Sequence, residues 1–476
     1  MNKTAIRNFA IWAREELISR VSRKAVRYGI SEGAVLPVSE VLMDGKVLSE
    51  AEQLQRERLV EKIANSGYTR TVEEIAYTWF NRFCTLRYME VNGFLPHKVR
   101  IFSNDKGEFH PQIIAGVLSV ENSDHDRETL SAPKGSALTE ESFKYSLILQ
   151  CNALNAILPG AFPKIDGETA LLSPDGLLCR EGIIARLVDA IPEDQWQNSV
   201  QIVGWLYQYY NTEPKEQVFA ALKNNIKISK ENIPAATQLF TPDWIVRYMV
   251  ENTLGRLFIN SRIGTWKGTE ADRRQTERHI AEKLGWKYYL PEPEQTPKVR
   301  AELNAGKYLC DLSSLKVIDP CMGSGHILVY VFDLLMQIYR EYGYDDRTAV
   351  AGIVSNNLFG LDIDEHAAQL AYFAVMMKAR HYDHGFFERN IRPGVYTICE
   401  SDHISPEHTA YFCGEDPVLR RELTRLLAEM RNAREYGSIL NVSAAGFGAL
   451  HNRLERLRKS SEALAVSTVS GVAPLT

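Results

Sequence analysis

Three acids and two glycines carry most of the chemistry that this sequence could do. The first group is Asp319-Pro-Cys-Met-Gly-Ser-Gly325, set between a β-rich run, Leu315–Asp319, and a long apolar stretch that begins near His326. Gly323 and Gly325 allow a sharp backbone turn and let a ligand approach amides that a Cβ would shield. A ligand crevice at the strand's carboxyl end follows, with Pro320 and Ser324 in the same turn. Asp319 decides between the cofactor classes that use such a turn. A dinucleotide would bring its pyrophosphate to this helix start, where a carboxylate about 4 Å away repels each negative charge by roughly 1–4 kcal/mol. S-adenosylmethionine instead offers an ammonium group, which an aspartate attracts. The third glycine of the dinucleotide fingerprint is also missing, since His326, Ile327 and Leu328 follow Gly325.

The second acid lies in Gly360-Leu-Asp-Ile-Asp364. At the end of a second strand, Asp362 is placed to accept both ribose hydroxyls, with Ile363 against the adenine face. The interval from Asp319 exceeds the usual twenty or so residues, so a small insertion around Tyr342–Ser355 is expected to loop out. The third acid is Asp402 in Cys399-Glu-Ser-Asp-His-Ile404. Alone it reads as a helix N-cap or loop residue. As third in the series it would face the same crevice and accept from the adenine amino group.

These residues need strands to carry them. From Leu315 the chain reads strand (LKVID), glycine turn, apolar helix, strand (LFGLDID), helix, strand (VYTIC). That alternation predicts an α/β fold with a parallel, doubly wound sheet. The preceding residues are mainly helical. Thr4–Tyr28 is amphipathic, with Ile6, Phe9, Ala13, Leu17 and Val21 at helical spacing. A second helix runs from about Ser49 to Ser66, and a third opens with Thr71 and Glu74 in capping-box spacing and ends near Gly93. The third is apolar on nearly every side and should be buried. Ser119–Ser136 reads as an exposed loop or linker, and helical pattern resumes near Glu140. Gly204-Trp-Leu-Tyr-Gln-Tyr-Tyr210, followed by Lys223, Lys227 and Lys230, admits two readings: a nucleic-acid patch, or a buried helix beside a solvated one. The second is favoured. A mainly helical domain over residues 1–230 and a cofactor-binding domain over 231–476 are expected.

A chain of 476 residues is long enough to bury several cores, and 45% hydrophobic with 24% charged residues is a globular composition. With 55 basic and 60 acidic residues the formal net charge is −5, so no chain-wide basic field is present. No apolar run suits a bilayer and no signal-like core is read at the amino terminus, which predicts a soluble, cytoplasmic protein. Seven scattered cysteines without CxxC spacing fit reduced thiols and suggest no metal site.

The three groups resemble the cofactor half of an adenine-specific DNA methyltransferase that modifies the exocyclic amino group. In that family a Thr-Pro element precedes the glycine turn and touches the methionine part of the cofactor, and Gln238–Gly255 (QLFTPDWIVRYMVENTLG) matches it. Thr241 carries over as a carboxylate-binding hydroxyl, with Phe240 and Pro242 shaping the pocket. As plain structure, Thr241 and Pro242 also read as a helix N-cap and an N1 proline, which is compatible. Tyr77–Pro96, Gly204–Tyr210 and Thr237–Gly255 resemble more closely the large methyltransferase of BREX phage-defence systems, also called phage growth limitation systems. The resemblance implies an incomplete Rossmann-like class I methyltransferase core of three strands behind the helical domain, S-adenosylmethionine as cofactor, double-stranded DNA as substrate, and other defence proteins as partners. The family's catalytic motif, [Asn/Asp/Ser]-Pro-Pro-aromatic, has no counterpart, because no Pro-Pro pair occurs here. After Asp402 the pattern is helical, with Asp416 as cap and Leu419, Leu423, Leu426, Leu427 and Met430 on one face. The expectation is therefore an amino-terminal portion of such an enzyme with no catalytic residues of its own, inactive alone; the alternative is a non-catalytic module that binds cofactor or defence partners.

Overall fold

A computed structural model describes residues 2–43, 45–96, 99–113, 136–165, 167–197, 199–229, 232–304, 311–443 and 446–459. The expected linker over 119–135, Cys310, and the boundary at 230 and 231 lie outside the described residues.

The amino-terminal part is built on helices α1 (Lys3–Arg27), α2 (Glu50–Ser66) and α3 (Tyr68–Val91), with two small antiparallel ladders between α1 and α2: β1 (Ile30–Ser31) with β2 (Ala34–Val35), and β3 (Leu42–Met43) with β4 (Lys46–Val47). The apolar stripe of α1 is buried at each expected position. Ser49 and Glu52 form a reciprocal capping box that starts α2. The start of α3 differs from the expected one. Gly67, at φ +84°, ends α2 and starts α3 within one residue, so Thr71 lies inside the first turn, where its hydroxyl donates to the Gly67 carbonyl at 2.8 Å. Nearly all of α3 is buried, including Trp79 and Phe83. Helices α4 (Ser136–Ile157), α5 (Ile183–Ala190) and α6 (Gln201–Tyr210) follow, and α1 packs against α3, α5 and α6. The aromatic α6 buries Ile202, Val203, Leu206, Tyr207 and Tyr210, as the buried-helix reading has it, and α7 (Thr212–Lys223) is largely exposed.

Helix α8 (Asp243–Val250) begins one residue later than expected. Pro242 is its N-cap, with its carbonyl accepting from Ile245 and Val246, so Thr241 lies outside the helix.

The three short runs form one parallel sheet in the order β5 (Val317–Asp319), β6 (Leu358–Asp362), β7 (Gly394–Thr397). Helices α9 (His326–Glu341) and α10 (Glu365–Tyr382) make the crossovers and pack on each other. The insertion expected to loop out is instead helical: Asp346–Gly352, capped by Asp345, runs into a wider turn at 353–357, and Ala349, Val350, Ile353 and Val354 bury against the core. Burying those four apolar side chains outweighs leaving the segment solvated. Among the described residues β5 pairs only with β6, and Ile318 is 58% exposed along that edge.

The main hydrophobic core is continuous between the helical region and the sheet. Tyr88 of α3 and Phe162 meet Phe373 of α10, and the Tyr77 ring lies 4.0 Å from His366. Helices α11 (Pro417–Glu429) and α12 (Phe447–Lys459) form a smaller cluster of their own around Cys413, Leu419 and Leu450. Asp416 caps α11 as expected, accepting from the amides of Val418 and Leu419. Among the described residues no helix is long and apolar enough to cross a membrane, no group of side chains could hold a metal ion, and the cysteines are free.

Candidate cofactor site

The site is assembled at the carboxyl ends of β5 and β6. Asp319 is the last residue of β5 and is only 8% exposed. Its Oδ1 accepts from the Cys321 amide at 3.1 Å, while Oδ2 is buried without a partner. Burial pushes its carboxyl above the ordinary aspartate range, opposed by the Cys321 amide and reinforced by the charge of Asp362. The turn then needs left-handed backbone at Gly323 (φ +53°) and Gly325 (φ +81°). At Gly325, the N-cap of α9, a Cβ would also stand 3.0 Å from Cα of Ala371 on α10. Glycine is therefore required twice over, by conformation and by close packing.

Asp362 ends β6 and ties it to this turn. Its Oδ2 accepts from the Gly323 amide at 2.8 Å and its Oδ1 from the Asp364 amide at 2.9 Å. Each oxygen keeps a lone pair for a ligand hydroxyl. Burial raises this carboxyl too, against the hydrogen bonds of the Asp364 and Gly323 amides. Asp364 in turn caps α10, accepting from the His366 amide at 3.0 Å, and takes the hydroxyl hydrogen of Tyr207.

The Thr-Pro element meets the turn through His326. Nδ1 of His326 lies 3.0 Å from the Thr241 carbonyl, and its ring stacks on Phe240 at 4.4 Å. Burial lowers the His326 pKa, opposed by Asp243, which favours the neutral ring. A neutral ring with hydrogen on Nδ1 donates to that carbonyl.

These elements enclose a cavity of about 740 Å³. Phe240, Pro320, Gly323, Ser324, Asp362 and Ile363 line it, six of the eleven residues expected from the sequence. Thr241, Pro242, Asp319 and Gly325 stand behind that lining and hold it in place. Asp402 is not brought to the site. β7 ends at Thr397 and the chain turns away, leaving Asp402 exposed, 3.8 Å from Arg431, on a separate cavity with Ser401 and Ile404. At the end of β7 it is Ile398 that lines the cofactor cavity.

Sequence reasoning missed Gly204, Tyr207 and Gln208 of α6, and the segments Arg434–Gly437 and Leu440–Val442, all of which reach the same cavity. One signal was present: a glycine inside an aromatic helix costs about 1 kcal/mol relative to alanine and points to close packing. A second cavity, of about 480 Å³, lies beyond the Tyr207–Asp364 contact, where Arg14 pairs with Glu73 at 2.7 Å.

The donor set fits S-adenosylmethionine. Asp362, lining the cavity with a lone pair left on each oxygen, suits its ribose, Ile363 and Phe240 supply apolar faces, and behind the lining the unpartnered Asp319 oxygen is an acceptor that suits its ammonium group.

No protein-family model matches the chain. It is 37% identical over 476 residues to the adenine-specific methyltransferase PglX of Lacticaseibacillus casei (strain Zhang), covering 94% of this chain and 38% of that protein. It is 34% identical over 492 residues to the adenine-specific methyltransferase BrxX of Escherichia coli O9:H4 (strain HS), covering 96% and 39%. This chain is a homologue of the adenine-specific methyltransferases PglX and BrxX. The homologue spans less than two-fifths of the length of these two relatives. A shorter match, 28% identical over 141 residues, is to a putative type II restriction enzyme and methyltransferase of Methanocaldococcus jannaschii. The family resemblance drawn from Tyr77–Pro96, Gly204–Tyr210 and Thr237–Gly255 is therefore upheld.

Proposed function

We propose that this homologue carries the methyl-donor half of a site-specific DNA methyltransferase of a BREX phage-defence system, on an S-adenosylmethionine-dependent methyltransferase fold. The observation that carries the reading is Asp362, which lines the cavity beside a two-glycine turn, with the unpartnered Asp319 carboxylate oxygen behind that lining. Names of relatives that together cover nearly the whole chain support it.

S-adenosylmethionine supplies a methyl group activated by its sulfonium. Asp362 would accept from the ribose hydroxyls and Asp319, from behind the lining, from the ammonium group, while Ile363 would cover the adenine and Phe240 the methionine chain. Thr241, held through its carbonyl by His326, offers its hydroxyl to the carboxylate. The acceptor is the amino group of adenine in double-stranded DNA, a poor nucleophile whose lone pair is delocalised into the ring. Transfer depends on holding that nitrogen in line with the methyl, and on groups that stack and hydrogen-bond an extruded base. In this family the Pro-Pro motif does that work, and these 476 residues contain no Pro-Pro pair. We therefore assign them donor binding without methyl transfer of their own, in the cytoplasm, alongside further defence proteins.

Isothermal calorimetry tests the reading. S-adenosylmethionine should bind, and Asp319→Asn should weaken it about tenfold or more, as expected for loss of a hydrogen bond between charged groups. Equal binding by both proteins, or none by the parent, overturns the assignment. Tritiated methyl transfer to DNA above background would overturn the second part.

A further inference from the structure

Helix α6 belongs to the helical region, yet it sits directly on the cofactor turn. At Gly204 a Cβ would come within 2.5 Å of Ser324 Oγ and closer still to the Phe240 ring, so the bare backbone of α6 touches both the glycine turn and the Thr-Pro element. Its neighbour Trp205 packs on the other side of Phe240, with ring centroids 4.2 Å apart. One turn on, Tyr207 donates its hydroxyl to Asp364, whose amide donates to Asp362, whose second oxygen accepts from Gly323. A chain of three hydrogen bonds thus runs from α6 to the residue that faces the ribose and on to the turn. The Tyr207 hydroxyl is buried, and burial beside Asp364 raises its pKa well above the ordinary tyrosine value, so it remains a donor at all physiological pH. Gln208 also lines the cavity, and its Oε1 is buried without a partner.

We propose that α6 is a wall of the methyl-donor site, in which Tyr207 is a positioning residue that holds Asp362 through Asp364, and Gln208 offers its side-chain carbonyl oxygen as an acceptor to the bound donor. This deepens the donor-pocket reading and rests on it. The helical region is then part of the binding site itself. A carboxylate held at both oxygens by backbone amides keeps its direction only if the loop bearing Asp364 is fixed, and Tyr207 is the group that fixes it from across the cavity. Losing the hydroxyl while keeping the ring leaves the packing in place and frees the loop.

Two ligands separate the possibilities. S-adenosylmethionine carries both the amino acid and the ribose, whereas 5′-methylthioadenosine keeps the ribose and lacks the ammonium group. With the full chain in calorimetry, Asp319→Asn should weaken the first ligand and leave the second within twofold. Tyr207→Phe should weaken both by the same factor, about tenfold, as for loss of one buried hydrogen bond. That pattern is not expected of a bond that merely joins two parts of the fold. Gln208→Ala, at a half-buried position, should weaken S-adenosylmethionine without lowering the melting temperature, and it decides the matter if Tyr207→Phe does not fold. If the parent binds and Asp319→Asn behaves as stated, but Tyr207→Phe or, failing that, Gln208→Ala stays within twofold of the parent, the role of α6 is overturned. A Tyr207→Phe effect confined to S-adenosylmethionine overturns the positioning of Asp362. Failure of the parent to bind either ligand overturns the donor reading instead, which keeps the two failures apart.

Discussion

Helix α3 and strand β5 are both largely apolar segments, and they are buried very differently. Every side of α3 meets another element, and Trp79 and Phe83 are at most 1% exposed. Among the described residues β5 has a partner on one side only, and Ile318 is 58% exposed. A helix satisfies its own backbone hydrogen bonds and needs only side-chain contacts, whereas a strand needs a neighbour on each side for its amides and carbonyls. The difference teaches that stability and function are unevenly shared here. The helical region supplies a closed core, and the sheet, which carries two acids of the donor site, leans on that core through α9 and α10.

The contrast breaks most visibly with Trp79→Ala. Removing a fully buried indole whose N–H reaches the Thr169 carbonyl should cost about 3–5 kcal/mol, read as a lower urea midpoint. A cost below about 1 kcal/mol would mean that α3 is not the closed core described. Hydrogen exchange sharpens the same comparison. Amides of Trp79 and Phe83 should exchange far more slowly than those of Val317 and Ile318, and equal protection in a monomer would show that the β5 edge is covered.

Asp319 offers a subtler test, because burying its carboxyl costs stability. A carboxyl whose pKa is raised on folding contributes nothing while both states are protonated, below the ordinary value of 3.8, and destabilises increasingly as pH rises through the folded value. Asp319→Asn keeps an acceptor for the Cys321 amide and removes the charge. Without ligand it should therefore be at least as stable as the parent at pH 7, with the difference narrowing as the pH falls, while S-adenosylmethionine binding weakens about tenfold or more. A marked loss of stability at pH 7 would show that the carboxylate is a structural pillar instead. The smallest effect is expected at the edge itself. Ile318→Lys should change stability by less than about 0.5 kcal/mol while reducing self-association measured by sedimentation, since a lysine on an edge strand opposes pairing with another chain. A large loss of stability there would contradict the exposure of Ile318.

The readable parts of the fold were those with short-range causes. The stripe of α1, the span of α2 from near Ser49 to Ser66, the three β runs and the Asp416 cap follow from local spacing and capping chemistry, and each is present. Misreadings arose where a local pattern met a competing neighbour. Thr71 has capping spacing, but Gly67 starts the helix earlier; Tyr342–Ser355 looks like an insertion, but its apolar residues find a surface to bury against. Asp402 stands in sequence where an acid was wanted, yet the backbone turns before reaching it and the side chain faces Arg431.

By itself the sequence determined the residues of the two-glycine turn and of the strand ends beside it. Asp319, Gly323, Gly325 and Asp362 are identifiable because strand ends, positive-φ glycines and an acid that repels phosphate are local requirements. Only the tertiary structure decided which distant residues close the cavity around that turn. Tyr207 reaches Asp364 across 157 positions, and His326 reaches Thr241 across 85. No periodicity links residues so far apart. Their meeting depends on how α6, α8 and α9 pack, and packing is set by the summed burial of many side chains over one continuous core.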